Sequence, residues 1–149
     1  MANFFEVNKE RIDELKPLWE KFKQHHCVNS KYFRQYYEKR TFEIWKEELL
    51  KRSRELKIDL VTDEEKKRII GYGVTLIDNE GVGEVFSLFV EDEQRGKKLG
   101  DKLVERGLAW LDTNNVSKIY IVVSFGNEKV LSLYERFGFY PRVMRLERK

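Results

Sequence analysis

The sequence is poor in the features of secreted and membrane proteins. It contains one cysteine, Cys27, so no disulfide can form within the chain. No apolar run approaches the roughly 20 residues that a membrane-spanning helix needs, and the first residues show no basic segment followed by an apolar signal core. We therefore expect a cytoplasmic protein without a membrane partner.

Linkers and repeats are also missing. The only two prolines, Pro17 and Pro141, are far apart, and no glycine-, serine- or proline-rich stretch divides the chain. A length of 149 residues suits one domain with an ordinary core and is too short for two. The sequence predicts a single domain over residues 1–149.

Excess charge of one sign and metal ligands are scarce. Although 37% of the residues are charged, the net charge is only +3, which gives little reason to expect a nucleic-acid partner. A nucleic-acid-binding domain would depend on basic residues of the second helical region and the C-terminus, and these alternate with glutamates. The adjacent His25 and His26, together with Cys27, do not make a metal-ligand set. We expect no metal.

Helical periodicity dominates the first third of the chain. Apolar residues recur at helical spacing over about residues 8–24, where Pro17 marks either a kink or the true start of the helix. A second helical region over about residues 31–56 is expected to break near Thr41, which can cap a new helix. Short β-branched runs follow, at residues 58–62, 69–77 and 82–90. Polar turns separate these runs, which predicts an antiparallel meander.

The last third combines strand and helix patterns. An amphipathic helix is predicted up to about Asn114, and the apolar run at 118–124 is typical of a strand buried on both faces. A strand, a helix and a strand in this order imply a parallel pair with a crossover. Asn127 is expected to cap a short helix that Gly138 ends, and residues 139–146 are expected to form a last strand. The prediction is an α/β fold.

Three cations and two glycines lie where that parallel pair passes from strand to helix, which is where such folds bind ligands. Arg95, Lys97 and Lys98 stand at the first turn, although a helix N-terminus disfavours cations. Amides of a first helical turn have no partner in the chain and can donate to an anion. Gly96 and Gly100 would let that anion approach closely. The stretch therefore predicts an anion site.

Two familiar phosphate loops do not match this stretch. Gly96 is followed five residues later by Asp101, without the lysine and serine or threonine of the nucleoside-triphosphate loop. The glycine pairs at 71–73 and 81–83 lack the third glycine of the dinucleotide fingerprint and open no helix. The alternative to an anion site is a solvated charge run, in which the acids at 91–93 neutralise the neighbouring cations.

Two motifs carry a resemblance to a known family. LFVEDEQRGKKLGDKLV, residues 88–104, resembles the central motif of the GNAT superfamily of acyl-CoA dependent N-acyltransferases. Lys98 departs from it, because the family usually has glycine there; a helical φ would keep the Lys98 amide available. About thirty residues on, Asn127 and the segment 133–139 are similar to the family's asparagine and its LYEKLGF-type segment.

The resemblance implies a fold and a cofactor. The fold is an α/β (α+β) domain with a central mixed sheet and helices on both faces. Acetyl-CoA would be the co-substrate, with the main chain of Phe89 and Val90 paired to its pantetheine, and Asn127 either contacting it or only capping a helix. The pyrophosphate would be held by the amides of Arg95, Gly96, Lys97, Lys98, Leu99, Gly100 and Asp101.

The resemblance also implies catalytic roles. Tyr134 falls on the family's tyrosine position and would be the general acid, the alternative being core packing. Glu84 would be the base, or else a solvated residue at a strand end, and a base there needs a raised pKa. The Leu88 amide would polarise the thioester carbonyl.

The implied activity is transfer of an acetyl group from acetyl-CoA to a primary amine of a small molecule or a protein. The alternative is a non-catalytic acyl-CoA binding or sensing domain. In this family the first two helices and the last strand select the acceptor, and a second subunit of a homodimer would supply part of that wall here. The sequence leaves the acceptor open.

Overall fold

A five-stranded mixed sheet forms the centre of the protein. The computed structural model describes residues 2–65 and 67–149. The strands lie side by side in chain order: β1 (Asn3–Val7), β2 (Ser53–Thr62), β3 (Ile69–Asp78), β4 (Gly83–Val90) and β5 (Ile119–Tyr120). The first four are antiparallel neighbours, and β4 and β5 run parallel. The predicted meander with one parallel pair is confirmed.

Helices cover both faces of this sheet. They are α1 (Lys16–Asn29), α2 (Arg34–Lys39), α3 (Phe42–Arg52), α4 (Leu99–Thr113) and α5 (Leu131–Glu135), with 3₁₀ turns at Lys9–Leu15, Asp92–Gln94 and Glu128–Val130. Alternation along the strands separates two cores. Leu60 and Val74 pack with Trp19 of α1 and the aromatics of α3, whereas Val61 packs with Leu103 of α4. No described helix is long and apolar enough to cross a bilayer.

Local signals set the helix boundaries well in the first third. Pro17 lies in the first turn of α1, so it marks the start of that helix and not a kink. Thr41 caps α3 as predicted, with its Oγ1 accepting from the Ile44 amide at 3.1 Å. The predicted end of this helical region was wrong: α3 ends at Arg52 and β2 begins at Ser53, because pairing with β3 overrides the helix-like pattern of residues 53–56.

The strands at the two edges of the sheet differ from the sequence prediction. β1 was not predicted; it is only five residues long and pairs with β2 along one edge. Of the strand expected over 118–124, only Ile119 and Tyr120 pair with a neighbour. The last strand expected over 139–146 is absent, and residues 140–149 are exposed. A strand needs a partner ladder, and β5 is too short to provide one.

Candidate functional site

The parallel pair separates almost as soon as it forms. β4 and β5 are in register only at Gly83 with Ile119 and at Glu84 with Tyr120. β4 then continues to Val90 against β3, while residues 121–124 make no strand pairing. The space between the rest of β4 and residues 121–124 is called the β4–β5 gap below. A bulge at Phe86 bends β4 beside it, since Val74 pairs with Ser87 and Thr75 with Val85.

Alternation along β4 decides which backbone groups face this gap. The Glu91 amide donates to the Ile70 carbonyl of β3 at 3.0 Å, and in an antiparallel ladder every second residue points the same way. Phe89 therefore directs its amide and carbonyl to β3, and those of Leu88 and Val90 face the gap. Main-chain groups that face the gap are therefore available at Leu88 and Val90, whereas the Phe89 main chain pairs with β3 and its side chain stacks on Phe22 at 5.0 Å.

The loop before α4 presents a row of free amides. Within the described residues, the amides of residues 96–101 donate to no partner, and the first bond of the helix runs from the Lys102 amide to the Lys98 carbonyl at 3.2 Å. The Arg95 amide is different, because it donates to the Asp92 carbonyl at 3.1 Å. Of the seven amides expected to hold pyrophosphate, six are thus available.

Lys98 has a backbone conformation that glycine adopts more easily than other residues, and glycine is what the resembled motif usually has at this position. Its φ is +59° and its ψ +27°, a left-handed backbone that side chains disfavour, and Gly96 has a φ of +84°. The helical φ considered for Lys98 is therefore wrong, although its amide remains free. Lys97 donates to the Gln94 side chain at 2.9 Å, and Asp101 binds Arg136 at 2.7 Å, which ties the start of α4 to the end of α5.

The first of the three acids before this loop is not part of a solvated charge run. Glu91 is 1% exposed, and its carboxylate is bound by both Lys21 and Arg68. Asp92 pairs with Arg95 at 3.1 Å. Asp92 and Glu93 are both exposed, so these two acids fit the solvated alternative and Glu91 does not.

Tyr134 lies on α5 beside the start of α4. The neighbouring Leu133 packs against Gly100, so α5 contacts the free-amide loop directly. Tyr134 is 8% exposed, and burial raises the pKa of its phenol to about 12. Its hydroxyl forms no hydrogen bond with any described residue. A buried, protonated phenol without a partner is available as a proton donor.

Glu84 is neither solvated nor free. It is 3% exposed at the closed end of the gap, and Arg52 binds its carboxylate. The same guanidinium donates to the Tyr120 hydroxyl at 2.9 Å. The carboxylate expected to be a base is thus held in an ion pair.

Asn127 does not cap its helix. Its side-chain Oδ1 instead accepts from the Nε2 of His25 at 3.0 Å, across the end of the gap. The next residue, His26, stacks on Phe22 at 4.4 Å and on Tyr37 at 5.0 Å. Burial and the neighbouring His25 lower the pKa of His26 to about 4. No sequence pattern predicts either histidine contact.

A cavity of about 420 Å³ adjoins the site on the α1 side of the sheet. Lys21, His25 and Asn29 of α1 line one wall, and Phe89 and the acids at 91–93 line the other. Within residues 2–65 and 67–149, no group of three or more histidine, cysteine, aspartate or glutamate side chains could hold a metal ion. The groups that the site offers to a ligand are therefore the backbone amides of residues 96–101, the Tyr134 hydroxyl and the Asn127 carboxamide.

Comparisons with known proteins agree with this geometry. A Mycothiol acetyltransferase from Kocuria rhizophila is 29% identical over 84 residues, which are 53% of this chain and 28% of that protein. The chain spans less than a third of the length of the curated relatives it matches.

Solved structures match along the whole chain. A putative acetyl transferase from Pyrococcus furiosus has a TM-score of 0.74 at 23% identity, covering 99% of both chains. AAC(6')-Iy, in complex with the bisubstrate analog CoA-S-monomethyl-acetylneamine, has a TM-score of 0.67 at 14% identity, covering 100% of this chain and 99% of that one. These likenesses establish the fold. The family model of the acetyltransferase (GNAT) family matches residues 15–139, and the chain therefore belongs to that family.

Proposed function

We propose that this protein is an N-acetyltransferase that transfers the acetyl group of acetyl-CoA to a primary amine of a small molecule or a protein. The observation that carries the proposal is the pairing of β4 with β5 at two positions only, followed by the six free amides at 96–101. An open strand edge and an anion-binding helix start then lie side by side. Family membership and relatives named acetyltransferases support the same activity.

The residues present suit acetyl-CoA. The free amides of residues 96–101 would hold its pyrophosphate, with Lys97 and Lys98 adding positive charge. The gap-facing groups of Leu88 and Val90 would pair with the pantetheine as a neighbouring strand does. Asn127, 7% exposed, has its Nδ2 free within the described residues.

The chemistry divides between ligand and protein. When bound, acetyl-CoA supplies an acetyl group activated as a thioester. Tyr134 would donate its proton to the departing sulfur, because a phenol of raised pKa stays protonated at every pH at which an amine nucleophile works. The Leu88 amide would polarise the thioester carbonyl. Glu84 remains the proposed base, and its ion pair with Arg52 makes solvent water the competing proton acceptor.

Binding and turnover together test the proposal. Calorimetric titration with acetyl-CoA should give a saturable 1:1 isotherm, and thiol release with a panel of primary amines should identify an acceptor. Tyr134→Phe should lower kcat about 100-fold or more while acetyl-CoA still binds. Tyr140→Phe is the matched control, because Tyr140 is an exposed tyrosine outside the site.

Each negative result in these experiments has a different meaning. A protein that binds acetyl-CoA but releases no thiol with any amine would be the non-catalytic acyl-CoA binding or sensing domain. A protein that does not bind acetyl-CoA would overturn both functions. Equal rates for wild type and Tyr134→Phe would remove Tyr134 from the mechanism. Glu84→Gln assigns the base: an unchanged rate would exclude Glu84.

A further inference from the structure

We propose that His25 is a positioning residue, which fixes the Asn127 carboxamide so that its Nδ2 is presented to acetyl-CoA. The inference rests on the proposed function and extends it to α1. The contact joins residues 102 positions apart, from the C-terminal half of α1 to the turn that follows residues 121–124. Through this contact α1, one of the helices expected to select the acceptor, also takes part in holding acetyl-CoA.

The hydrogen bond removes an ambiguity that Asn127 would otherwise have. A carboxamide can turn over, exchanging an acceptor oxygen for a donor nitrogen. The Asn29 Nδ2 donates to the His25 carbonyl at 2.8 Å and lies 3.4 Å from the ring Nδ1, so Nδ1 is the acceptor and Nε2 carries the proton. With Nε2 as the donor at 3.0 Å, only Oδ1 of Asn127 can face the ring. The reversed orientation would set two donors against each other. Nδ2 must then point away from His25, where no described residue accepts from it.

His25 is itself held in place. Its Nδ1 faces the Asn29 Nδ2 at 3.4 Å. The same Asn29 nitrogen donates to the His25 carbonyl at 2.8 Å, which anchors the end of α1. The His25 ring therefore has one orientation, and it transfers that orientation to Asn127.

The turn that carries Asn127 is fitted against α1. Gly126 has a φ of +106°, and a Cβ there would collide with the Asn29 carbonyl. The Tyr37 hydroxyl donates to the Ser124 Oγ at 2.9 Å on the other side of the turn. Because these contacts already fix the backbone, loss of the His25 side chain should free the Asn127 side chain and leave the turn in place.

A double-mutant cycle tests the inference by calorimetric titration with acetyl-CoA. His25→Ala should weaken binding about five- to tenfold, the usual effect of one lost hydrogen bond. The double variant with Asn127→Ala should bind no more weakly than Asn127→Ala alone, because His25 acts through that side chain. Lys23→Ala, on the same helix and without a contact to Asn127, is the control and should bind as wild type does.

An isosteric pair separates the hydrogen bond from packing. His25→Gln keeps an N–H donor and should restore affinity, whereas His25→Glu has the same length without that donor and should not. This comparison also decides the matter if His25→Ala fails to fold. In steady-state kinetics the loss should appear as a raised KM for acetyl-CoA, with a much smaller change in kcat.

Two results would overturn the inference while leaving the proposed function intact: wild-type affinity for acetyl-CoA in His25→Glu, or full additivity of the two alanine substitutions. Absence of acetyl-CoA binding by the wild-type protein would instead remove the proposed function, and this inference with it.

Discussion

Lys98 holds the most constrained backbone in the site, because a left-handed conformation costs a residue with a side chain of order 1–3 kcal/mol. The flexible stem of lysine tolerates it better than a β-branched side chain does. Lys98→Val should therefore lower the free energy of unfolding by about 1–2 kcal/mol, and Lys98→Gly should not lower it.

Urea unfolding of the two Lys98 variants measures this difference. Lys97→Val is the control, since Lys97 is exposed and has no positive φ. A Lys98→Val variant as stable as wild type would show that the loop is not left-handed there in solution.

His26 makes the protein sensitive to acid. Its pKa is about 4 in the folded state and near 6.5 when unfolded, so between these values the unfolded chain binds the additional proton. Stability from this residue is complete above pH 6.5 and is lost as the pH falls, by about 2 kcal/mol at pH 5. His26→Phe keeps an aromatic ring against Phe22 and Tyr37 and cannot be protonated.

The measurement compares the free energies of unfolding of wild type and His26→Phe at pH 7.5 and pH 5.0. Carboxylates titrate in both proteins. The decrease in the free energy of unfolding from pH 7.5 to pH 5.0 in wild type, minus that in His26→Phe, is therefore the contribution of His26. Equal losses would contradict burial of a neutral imidazole.

At the scale of elements, Glu91 joins three segments. It follows β4, and its buried carboxylate binds Lys21 of α1 and Arg68 just before β3. Glu91→Gln keeps the shape and removes the charge, which should cost about 1–3 kcal/mol because bonds between charged groups are lost. Glu93→Gln, two residues on and exposed, should change the stability by less than about 0.5 kcal/mol. Equal effects in thermal unfolding would mean that Glu91 is solvated.

The elements also show which parts of the structure a sequence can predict. α4 and the strands β3 and β4 follow from periodicity alone, and Thr41 and Pro17 mark helix starts by local chemistry. β1, β5 and the C-terminal segment were misjudged, because pairing at a sheet edge depends on what neighbour is available and not on the segment itself.

The site divides in the same way. Contiguous motifs indicated the free-amide loop and singled out Tyr134, whose catalytic role stays a prediction. The partners of Glu84 and Asn127 were not, since Arg52 and His25 lie 32 and 102 residues away along the chain. Glu91 is one of three consecutive acids, a pattern typical of a solvated segment, but its side chain is buried.

At the scale of the whole molecule, α1 contacts both sides of the β4–β5 gap. Phe22 stacks on Phe89 on one side, and His25 holds Asn127 on the other. Domain closure is not needed to bring the two sides together, because one helix already spans them. We expect the backbone around the gap to move little between the free and the ligand-bound protein.

The two-position pairing of β4 with β5 has a consequence for amide hydrogen exchange. The Leu88 and Val90 amides have no strand partner on the gap side, so they should exchange quickly in the free protein and slowly once acetyl-CoA is bound. Phe89, already paired with β3, is the internal control and should be protected in both states. A central strand would thus show alternating protection along its length, and ligand binding would make that protection continuous.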